Sequence, residues 1–121
     1  TLTANIAYTL ASQGDRVLVV DLDHQGSLTS LFLNIDQVHK LQASNRLIQR
    51  VFENCGEDVK LQDIVEPING TTLSLSAAFE ELSRHESRVS AAWQMKSLPI
   101  DGRLILRRVF HSPEFADAFD W

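Results

Sequence analysis

Cysteine is nearly absent from this sequence, since Cys55 is the one cysteine among 121 residues and no internal disulfide can form. Neither a CxxC pair nor an HxxxH pair occurs, and such spacings are typical of structural metal sites. The sequence also has no apolar run of about twenty residues, as a membrane span requires, and no stretch that resembles a signal peptide. These absences favour a protein of a reducing compartment, and we expect a cytoplasmic location.

An excess of positive charge is also missing. The chain has 11 Lys and Arg against 16 Asp and Glu, for a net charge of −5. Because phosphate binding draws on clustered basic residues, no extended nucleic-acid surface is expected in this segment. The local basic group of Arg103, Arg107 and Arg108 is interpreted as a solvated helix face. The four histidines are far apart and are expected to be surface or structural residues.

The remaining composition is that of one small globular domain. Apolar residues make up 44% of the chain, which is ordinary for a soluble protein, and there is no internal repeat or low-complexity linker. Three segments have the pattern of strands, at residues 16–22, 72–76 and 119–121. This is a thin sheet for four or five helices, so we expect some apolar surface to remain exposed.

The stretch RVLVVDLDHQGSLTS is the most informative part of the chain. A helix is predicted over Leu2–Ser12 and ends at Gly14, and the strand that follows has four apolar residues without alternation. Such a strand is typical of a parallel sheet covered on both faces, which predicts an α/β fold. Ligands bind beyond the carboxyl ends of parallel strands, which is where Asp21 and Asp23 lie.

The rest of the chain predicts mostly helices. A loop or short helix is expected up to Asn34, and residues 44–54 are predicted to form a helix with Ser44 as its cap. Its buried side would be Leu47, Ile48, Val51 and Phe52. A turn is predicted at 55–58, followed by a short helical run at 61–65 that Pro67 stops. A helix is predicted within 77–93, with Phe79 and Leu82 facing inward. The pattern then breaks at 99–102, before a helix at 103–110.

Residues 1–30, TLTANIAYTLASQGDRVLVVDLDHQGSLTS, resemble the part of the ParA/MinD partition-type ATPases that follows the phosphate loop. In that family the deviant Walker A motif KGGxGK[ST]T precedes such a helix, strand and DxDPQG turn. The ending FADAFDW resembles the approach to the Walker B strand. The resemblance implies a P-loop NTPase-like layered fold with a mostly parallel sheet. We expect residues 1–121 to be an interior portion of one ATPase domain, incomplete in this chain, with the phosphate loop and Walker B outside it.

Both the resemblance and the chemistry of phosphoryl transfer assign roles to the residues that follow the first strand. A carboxylate at Asp23 could orient the attacking water, and the family's hydrolysis residue matches this position. Asp21 lies two residues earlier, at the strand end itself, so we expect it deeper in the sheet and better placed to hold a water of the Mg²⁺ shell. By the resemblance, Thr1 matches the last Thr of the phosphate-loop motif, and Gln25 and Gly26 match the start of the family's nucleotide-sensing switch, at residues 25–29 here.

One departure from the family pattern stands beside Asp23. The usual Pro after the second aspartate is His24 here, which leaves the backbone freer because Pro would fix φ and remove a donor. Neutral drift at a tolerant loop position is the simpler interpretation. The alternative is that His24 tunes the water-orienting step.

The resemblance also implies cofactors and partners for the intact protein. ATP and Mg²⁺ would bind there, and hydrolysis would be slow until a ParB-like activator accelerates it. A nucleotide-dependent homodimer, and non-specific DNA contacts through regions mostly absent from this chain, would serve plasmid or chromosome segregation. The sequence DLDHQGS looks more like the ParA branch than the MinD branch. The 121 residues alone are expected to be inactive and not to bind MgATP, since they lack the phosphate loop.

Three alternatives stay open at this point. A MinD-like ATPase could position division-site machinery or another cargo instead of DNA. A receiver-type signalling domain also has a strand followed by acidic residues, although its phosphate-accepting aspartate ends a later strand. The third alternative is a non-catalytic binding or scaffold fragment.

Overall fold

The computed structural model of the chain describes residues 1–97, 101 and 104–121. Pro99, Gly102 and Arg103, which carry the predicted break and part of the basic group, lie outside the described residues. In chain order the elements are α1 (Leu2–Ser12), β1 (Val17–Val20), α2 (Thr29–Phe32), α3 (Ile35–Ala43), a 3-10 helix (Ile48–Gly56), α4 (Leu61–Ile64), β2 (Glu66–Pro67), β3 (Leu73–Ser76), α5 (Leu82–Gln94), α6 (Ile105–Phe110) and α7 (Pro113–Ala118).

The first helix and the strand after it confirm the α/β prediction. α1 has the predicted bounds and packs through the small buried residues Ala4 and Ala7, which let the helix approach the sheet closely. Gly14, at φ +96°, gives the left-handed turn that a helix end favours. β1 is shorter than the predicted 16–22, because regular pairing covers only Val17–Val20.

The sheet is small and mixed. Its strand order is β1-β3-β2, and β1 runs parallel to β3 with Val17 opposite Leu73 and Val20 opposite Ser76. β2 pairs antiparallel with β3 at the edge, where Pro67 is tolerated because an edge strand can lack a donor. β2 was not predicted from the sequence, although the preceding helical run does end before Pro67, as predicted.

The final residues lie along β1, on the side away from β3. Trp121 N donates to Arg16 O at 3.3 Å, and Leu18 N donates to Trp121 O at 2.9 Å. Two bonds of this kind around one residue, here Val17, are the pattern of parallel strand pairing. The strand predicted at 119–121 is therefore present as a short extended segment beside β1, without a regular strand assignment.

A bidentate ion pair fixes this terminal segment. Arg16 Nη2 contacts Asp120 Oδ1 at 2.7 Å, and Arg16 Nε donates to Asp120 Oδ2 at 3.2 Å. The Arg16 amide adds a third bond to Asp120 Oδ2 at 2.8 Å. These hydrogen bonds and the guanidinium charge lower the pKa of Asp120 to about 2 and raise the pKa of Arg16. Both side chains are about half exposed, at 52% and 42%, so solvent weakens the pair.

Helices cover both faces of the sheet and give two core clusters. Val17 and Val19 of β1, each 4% exposed, face the first cluster with α1 and α3. Leu18 and Val20 face the second cluster, which is built from the 3-10 helix and α4–α7. These two side chains are only half-buried, beside an open recess of about 240 Å³. The prediction that helices cover both faces is confirmed, but the two faces are covered unequally.

The prediction of one helix over residues 44–54 is wrong. Asn34 begins α3 with a reciprocal capping box, in which its side chain accepts from Gln37 N and Gln37 Oε1 accepts from Asn34 N, both at 2.9 Å. α3 then ends at Ser44, which is its C-cap and not the start of a helix. Asn45 turns the chain at φ +53°, and the next segment is the 3-10 helix.

The burial predicted for residues 44–54 is nevertheless largely correct. Leu47, Ile48 and Val51 are fully buried at 0% exposure, and Phe52 is half-buried. Ile48 N donates to Ala77 O at 2.8 Å, which ties the start of the 3-10 helix to the end of β3. Side chains at i and i+3 share a side in α and 3-10 helices alike, so the apolar spacing did not distinguish the two.

Of the later helices, α5 and α6 follow the prediction with shifted bounds, whereas α7 (Pro113–Ala118) was not predicted. α5 begins only at Leu82, so Phe79 packs against the first cluster from the preceding loop. α6 spans Ile105–Phe110, within the predicted 103–110. Several apolar side chains are exposed, as expected; they include Leu2, Ile6, Leu22, Leu31 and Ile35. No helix in the described residues has the length and apolar character needed to cross a bilayer.

Candidate functional site

Residues 21–29, which we call the acidic turn, leave the sheet at the carboxyl end of β1. Asp21 N donates to Ser76 O at 3.0 Å, so the parallel pairing with β3 continues one residue past the strand. The chain then folds back into α2, and Gly26 N donates to Asp23 O at 2.8 Å within the turn. The acidic turn thus occupies the edge of the sheet where parallel strands place ligands.

Asp21 is the buried anchor of the acidic turn. Asp21 is only 2% exposed, and its carboxylate accepts three hydrogen bonds. Oδ1 accepts from Asp23 N at 3.0 Å, and Oδ2 accepts from Thr29 N and Thr29 Oγ1, both at 2.7 Å. A buried carboxylate is costly unless donors satisfy it, and here both ends of the turn supply them.

The turn is also fixed against the loop that follows β3. Ala78 N donates to Thr29 Oγ1 at 3.0 Å, so the Thr29 hydroxyl donates to Asp21 and accepts from Ala78 at once. Gly26 has φ +64°, and a Cβ there would lie 2.9 Å from Ala78 O. Both the left-handed backbone and the close approach require glycine at this position.

Asp23 is the accessible carboxylate of the acidic turn, with its side chain 43% exposed. Its Oδ1 accepts from Gln25 N at 3.0 Å and its Oδ2 accepts from Ser27 Oγ at 2.8 Å. The hydrogen bonds from Gln25 N and Ser27 Oγ lower the pKa of Asp23; desolvation opposes this shift, and the nearby His24 adds to it. His24 Nδ1 lies 3.8 Å from Asp23 Oδ1.

This geometry determines what the two carboxylates can do. A carboxylate with a lowered pKa is ionised at neutral pH and is a weak proton acceptor, so Asp23 suits accepting a hydrogen bond from a water better than removing its proton. Each oxygen of Asp23 uses one hydrogen bond and keeps a lone pair free. In Asp21 only Oδ1 has comparable room, since Oδ2 already accepts two bonds.

The described residues hold no group of three or more His, Cys, Asp or Glu side chains that could bind a metal by itself. Asp21 and Asp23 therefore fit a Mg²⁺ site in part only. Two oxygen donors of the kind that Mg²⁺ prefers are present, and one of them is accessible.

The structure brings together all the predicted site residues except Thr1. Asp21, Asp23, Gln25 and Gly26 belong to one hydrogen-bonded turn. In the described part of the chain, no hydrogen bond or ion pair joins Thr1 to this turn; its carbonyl accepts from Asn5 N at 3.1 Å as α1 begins. The assigned roles of all five residues stay predictions.

Sequence reasoning missed the structural part played by Thr29 and Ala78. Thr29 was included only as the last residue of a switch, yet it is 1% exposed and joins the two loops. A threonine eight residues after a buried aspartate was the available signal. The partner at Ala78 uses its backbone, so no side-chain pattern could have indicated it.

Comparisons with known proteins agree with the P-loop ATPase family that the acidic turn indicates. Residues 1–112 match a family model described as an AAA domain. The chain is also 31% identical, over 124 residues, to a protein of Sinorhizobium fredii (strain NBRC 101917 / NGR234) named "Putative replication protein A". The match covers 99% of the chain but only 28% of that protein's length. No solved structure gives a significant match.

The family match covers α1, the acidic turn, β3 and most of the helices on both faces of the sheet. It favours the ATPase interpretation over a receiver domain. The chain therefore belongs to the AAA-domain family of P-loop ATPases.

Proposed function

We propose that the full-length protein containing this chain is a ParA-type ATPase and that the acidic turn takes part in ATP hydrolysis. The observation that carries the proposal is the pairing of a buried Asp21, whose carboxylate accepts three hydrogen bonds, with an accessible, ionised Asp23 at the carboxyl end of a parallel strand. Family membership supports a nucleotide as the ligand.

When bound, MgATP supplies the phosphoryl group and the cationic charge on which phosphoryl transfer depends. Asp23 then orients a water by accepting its hydrogen bond, and its low pKa keeps the carboxylate charged. Asp21 fits an indirect contact with Mg²⁺ through water, since its buried Oδ1 accepts one hydrogen bond and has room for a second, while Oδ2 already accepts two. We further propose that Thr1, Gln25 and Gly26 belong to the nucleotide-binding surface.

The proposed role of the ATPase is to position DNA in plasmid or chromosome segregation. The name of the Sinorhizobium relative refers to replication, and DLDHQGS favours the ParA branch. A ParB-like activator would accelerate hydrolysis, and two subunits would associate in a nucleotide-dependent homodimer. DNA contacts would lie mostly outside this acidic segment, because its net charge of −5 opposes phosphate binding.

Calorimetry and phosphate-release assays on the full-length protein test this proposal. We expect saturable ATP binding that depends on Mg²⁺ and a slow hydrolysis that DNA and the activator together accelerate. A full-length protein that is folded but neither binds nor hydrolyses ATP would contradict the proposal. Binding and hydrolysis without any response to DNA would leave the ATPase in place but overturn the role in DNA positioning.

A further inference from the structure

The Thr29 hydroxyl is the most constrained polar group in the acidic turn. Thr29 is only 1% exposed, and its hydroxyl donates to Asp21 Oδ2 at 2.7 Å while accepting from Ala78 N at 3.0 Å. A hydroxyl has one proton to donate and lone pairs to accept with, and both capacities are used here in fixed directions. An aliphatic side chain of the same shape could do neither.

This hydroxyl is linked to Asp23 through one carboxylate. Thr29 donates twice to Asp21 Oδ2, through its hydroxyl and its amide, while Asp21 Oδ1 accepts from Asp23 N. The orientation of the Asp21 carboxylate therefore depends on Thr29, and the backbone of Asp23 depends on that orientation. The connection runs from Ala78 N through Thr29 and Asp21 to the amide of Asp23.

Among the described residues, the Asp23 side chain has no comparable hydrogen-bonded support from outside the turn. It accepts hydrogen bonds from Gln25 N and Ser27 Oγ, which belong to the same turn and move with it. Beyond the Thr29 connection, the turn meets the loop after β3 where Gly26 packs against Ala78 O. Contacts internal to a turn shape it but do not place it relative to the sheet.

We infer that Thr29 is a positioning residue whose hydroxyl sets the location of the Asp23 carboxylate relative to the end of β3. Its effect on hydrolysis rests on the proposed ATPase function, whereas its effect on the Asp23 backbone does not. Thr29 reaches Asp23 only through Asp21, so it acts on the orientation of the water-binding carboxylate and not on the nucleotide itself.

Two substitutions separate the hydroxyl from the methyl group. Thr29→Val keeps the shape of the side chain but removes its donor and acceptor, while Thr29→Ser keeps the hydroxyl and removes the methyl. Thr72→Val is the matched control, because the Thr72 hydroxyl also joins distant parts of the chain but at the opposite end of β3. Its one proton is shared between Asp15 O at 2.5 Å and Ala11 O at 3.2 Å.

Amide hydrogen exchange on the full-length protein provides the readout that is independent of activity. We expect Thr29→Val to lower the protection of the Asp23 and Ala78 amides at least tenfold, relative to amides of β1, while Thr29→Ser and Thr72→Val leave the Asp23 amide as in the wild type. Unchanged protection of Asp23 in Thr29→Val would overturn the inference. If Thr29→Val does not fold, loss of Asp23 protection in Thr29→Ser would overturn it as well.

ATP hydrolysis per folded molecule tests the functional consequence. We expect Thr29→Val to lower kcat at least tenfold with KM for ATP within threefold, and Thr29→Ser to restore kcat to within threefold of the wild type. A merely structural role would change the amount of folded protein and leave kcat per folded molecule intact, which would overturn the positioning role. A wild-type protein without hydrolysis would instead contradict the proposed function, and the exchange data alone would then decide the inference.

Discussion

Asp21 and Thr29 lie eight residues apart and are joined by two hydrogen bonds of 2.7 Å to one carboxylate oxygen. The contact closes the acidic turn around a buried charge and returns the chain to the end of the sheet as α2 begins. Charge-assisted bonds of this length are stronger than neutral ones. Asp21 is therefore buried with three hydrogen bonds to its carboxylate, and Asp23 is left as the accessible carboxylate.

The first prediction separates these two aspartates by their effect on stability. Asp21→Asn should lower the free energy of unfolding by about 1–3 kcal/mol. The asparagine NH₂ group would replace one carboxylate oxygen and would face the N–H or O–H donors that this oxygen accepts from. Asp23→Asn is the control and should change it by less than about 0.5 kcal/mol, as surface substitutions usually do. Urea unfolding of both variants measures the difference, and equal destabilisation would show that Asp21 is not the anchor.

The second prediction concerns the close contact between Gly26 and Ala78. Gly26→Ala should destabilise the protein by about 1–3 kcal/mol, because a Cβ would lie 2.9 Å from Ala78 O and the backbone has φ +64°. Gly70→Ala is the matched control, since Gly70 has φ +77° but nothing within 4 Å of a Cβ. It should cost only the backbone strain of the left-handed conformation.

Thermal unfolding of the two glycine variants checks this contribution. We expect Tm to fall further in Gly26→Ala than in Gly70→Ala. Equal decreases in Tm would mean that the loop after β3 moves to accommodate the added Cβ, and would contradict a turn that is fixed against Ala78.

The third prediction is a pH dependence from Asp120. The Arg16 hydrogen bonds lower its pKa in the folded state to about 2, while an unfolded Asp has a pKa of about 3.9. A carboxyl group with a lowered pKa stabilises the fold above its unfolded pKa, and this contribution is lost as the pH falls through the folded pKa. The loss should therefore occur between about pH 4 and pH 2.

Urea midpoints of the wild type and of Asp120→Asn, measured from pH 6 to pH 2, isolate this effect. The wild type should be the more stable above about pH 4, and the difference should shrink toward pH 2. Added salt should reduce the difference at pH 6, because both partners are exposed. A difference that does not change with pH would show that the Arg16 contact does not depend on the charge of Asp120.

The sequence predicted the first part of the chain well for a clear physical reason. Between Leu2 and Val20, local signals agree: small residues and apolar spacing favour α1, Gly14 favours the turn, and the apolar run favours β1. Asp21 and Asp23 follow directly, so their place at the strand end came from the same pattern. Where local and tertiary preferences coincide, a sequence specifies its structure most plainly.

Prediction was weakest where the structure depends on tertiary contacts. Ala77 O fixes the start of the 3-10 helix and Ala78 N fixes Thr29, and backbone groups from distant parts of the chain leave no trace in the sequence pattern. The missed α3 is different. Asn34 and Gln37 have the spacing of a capping box, and reading that signal would have predicted its start.

The sequence predicted that Asp21 lies deeper than Asp23, but the contact that buries it could not be read from the sequence. Both follow the same strand, and only the return of the chain at Thr29 buries the first and leaves the second accessible. This difference is what gives the proposed roles their physical basis, since a water-orienting group must be reachable from the ligand side.

In the proposed function, Asp23 orients the water that attacks ATP. Single-turnover hydrolysis by the full-length protein with Asp23→Asn, with ATP binding measured in parallel, tests it most directly. We expect hydrolysis to fall about 100-fold or more, as losing a group that positions the nucleophile typically does, while the affinity for ATP changes little. Hydrolysis at the wild-type rate in a variant that still binds ATP would contradict the claim.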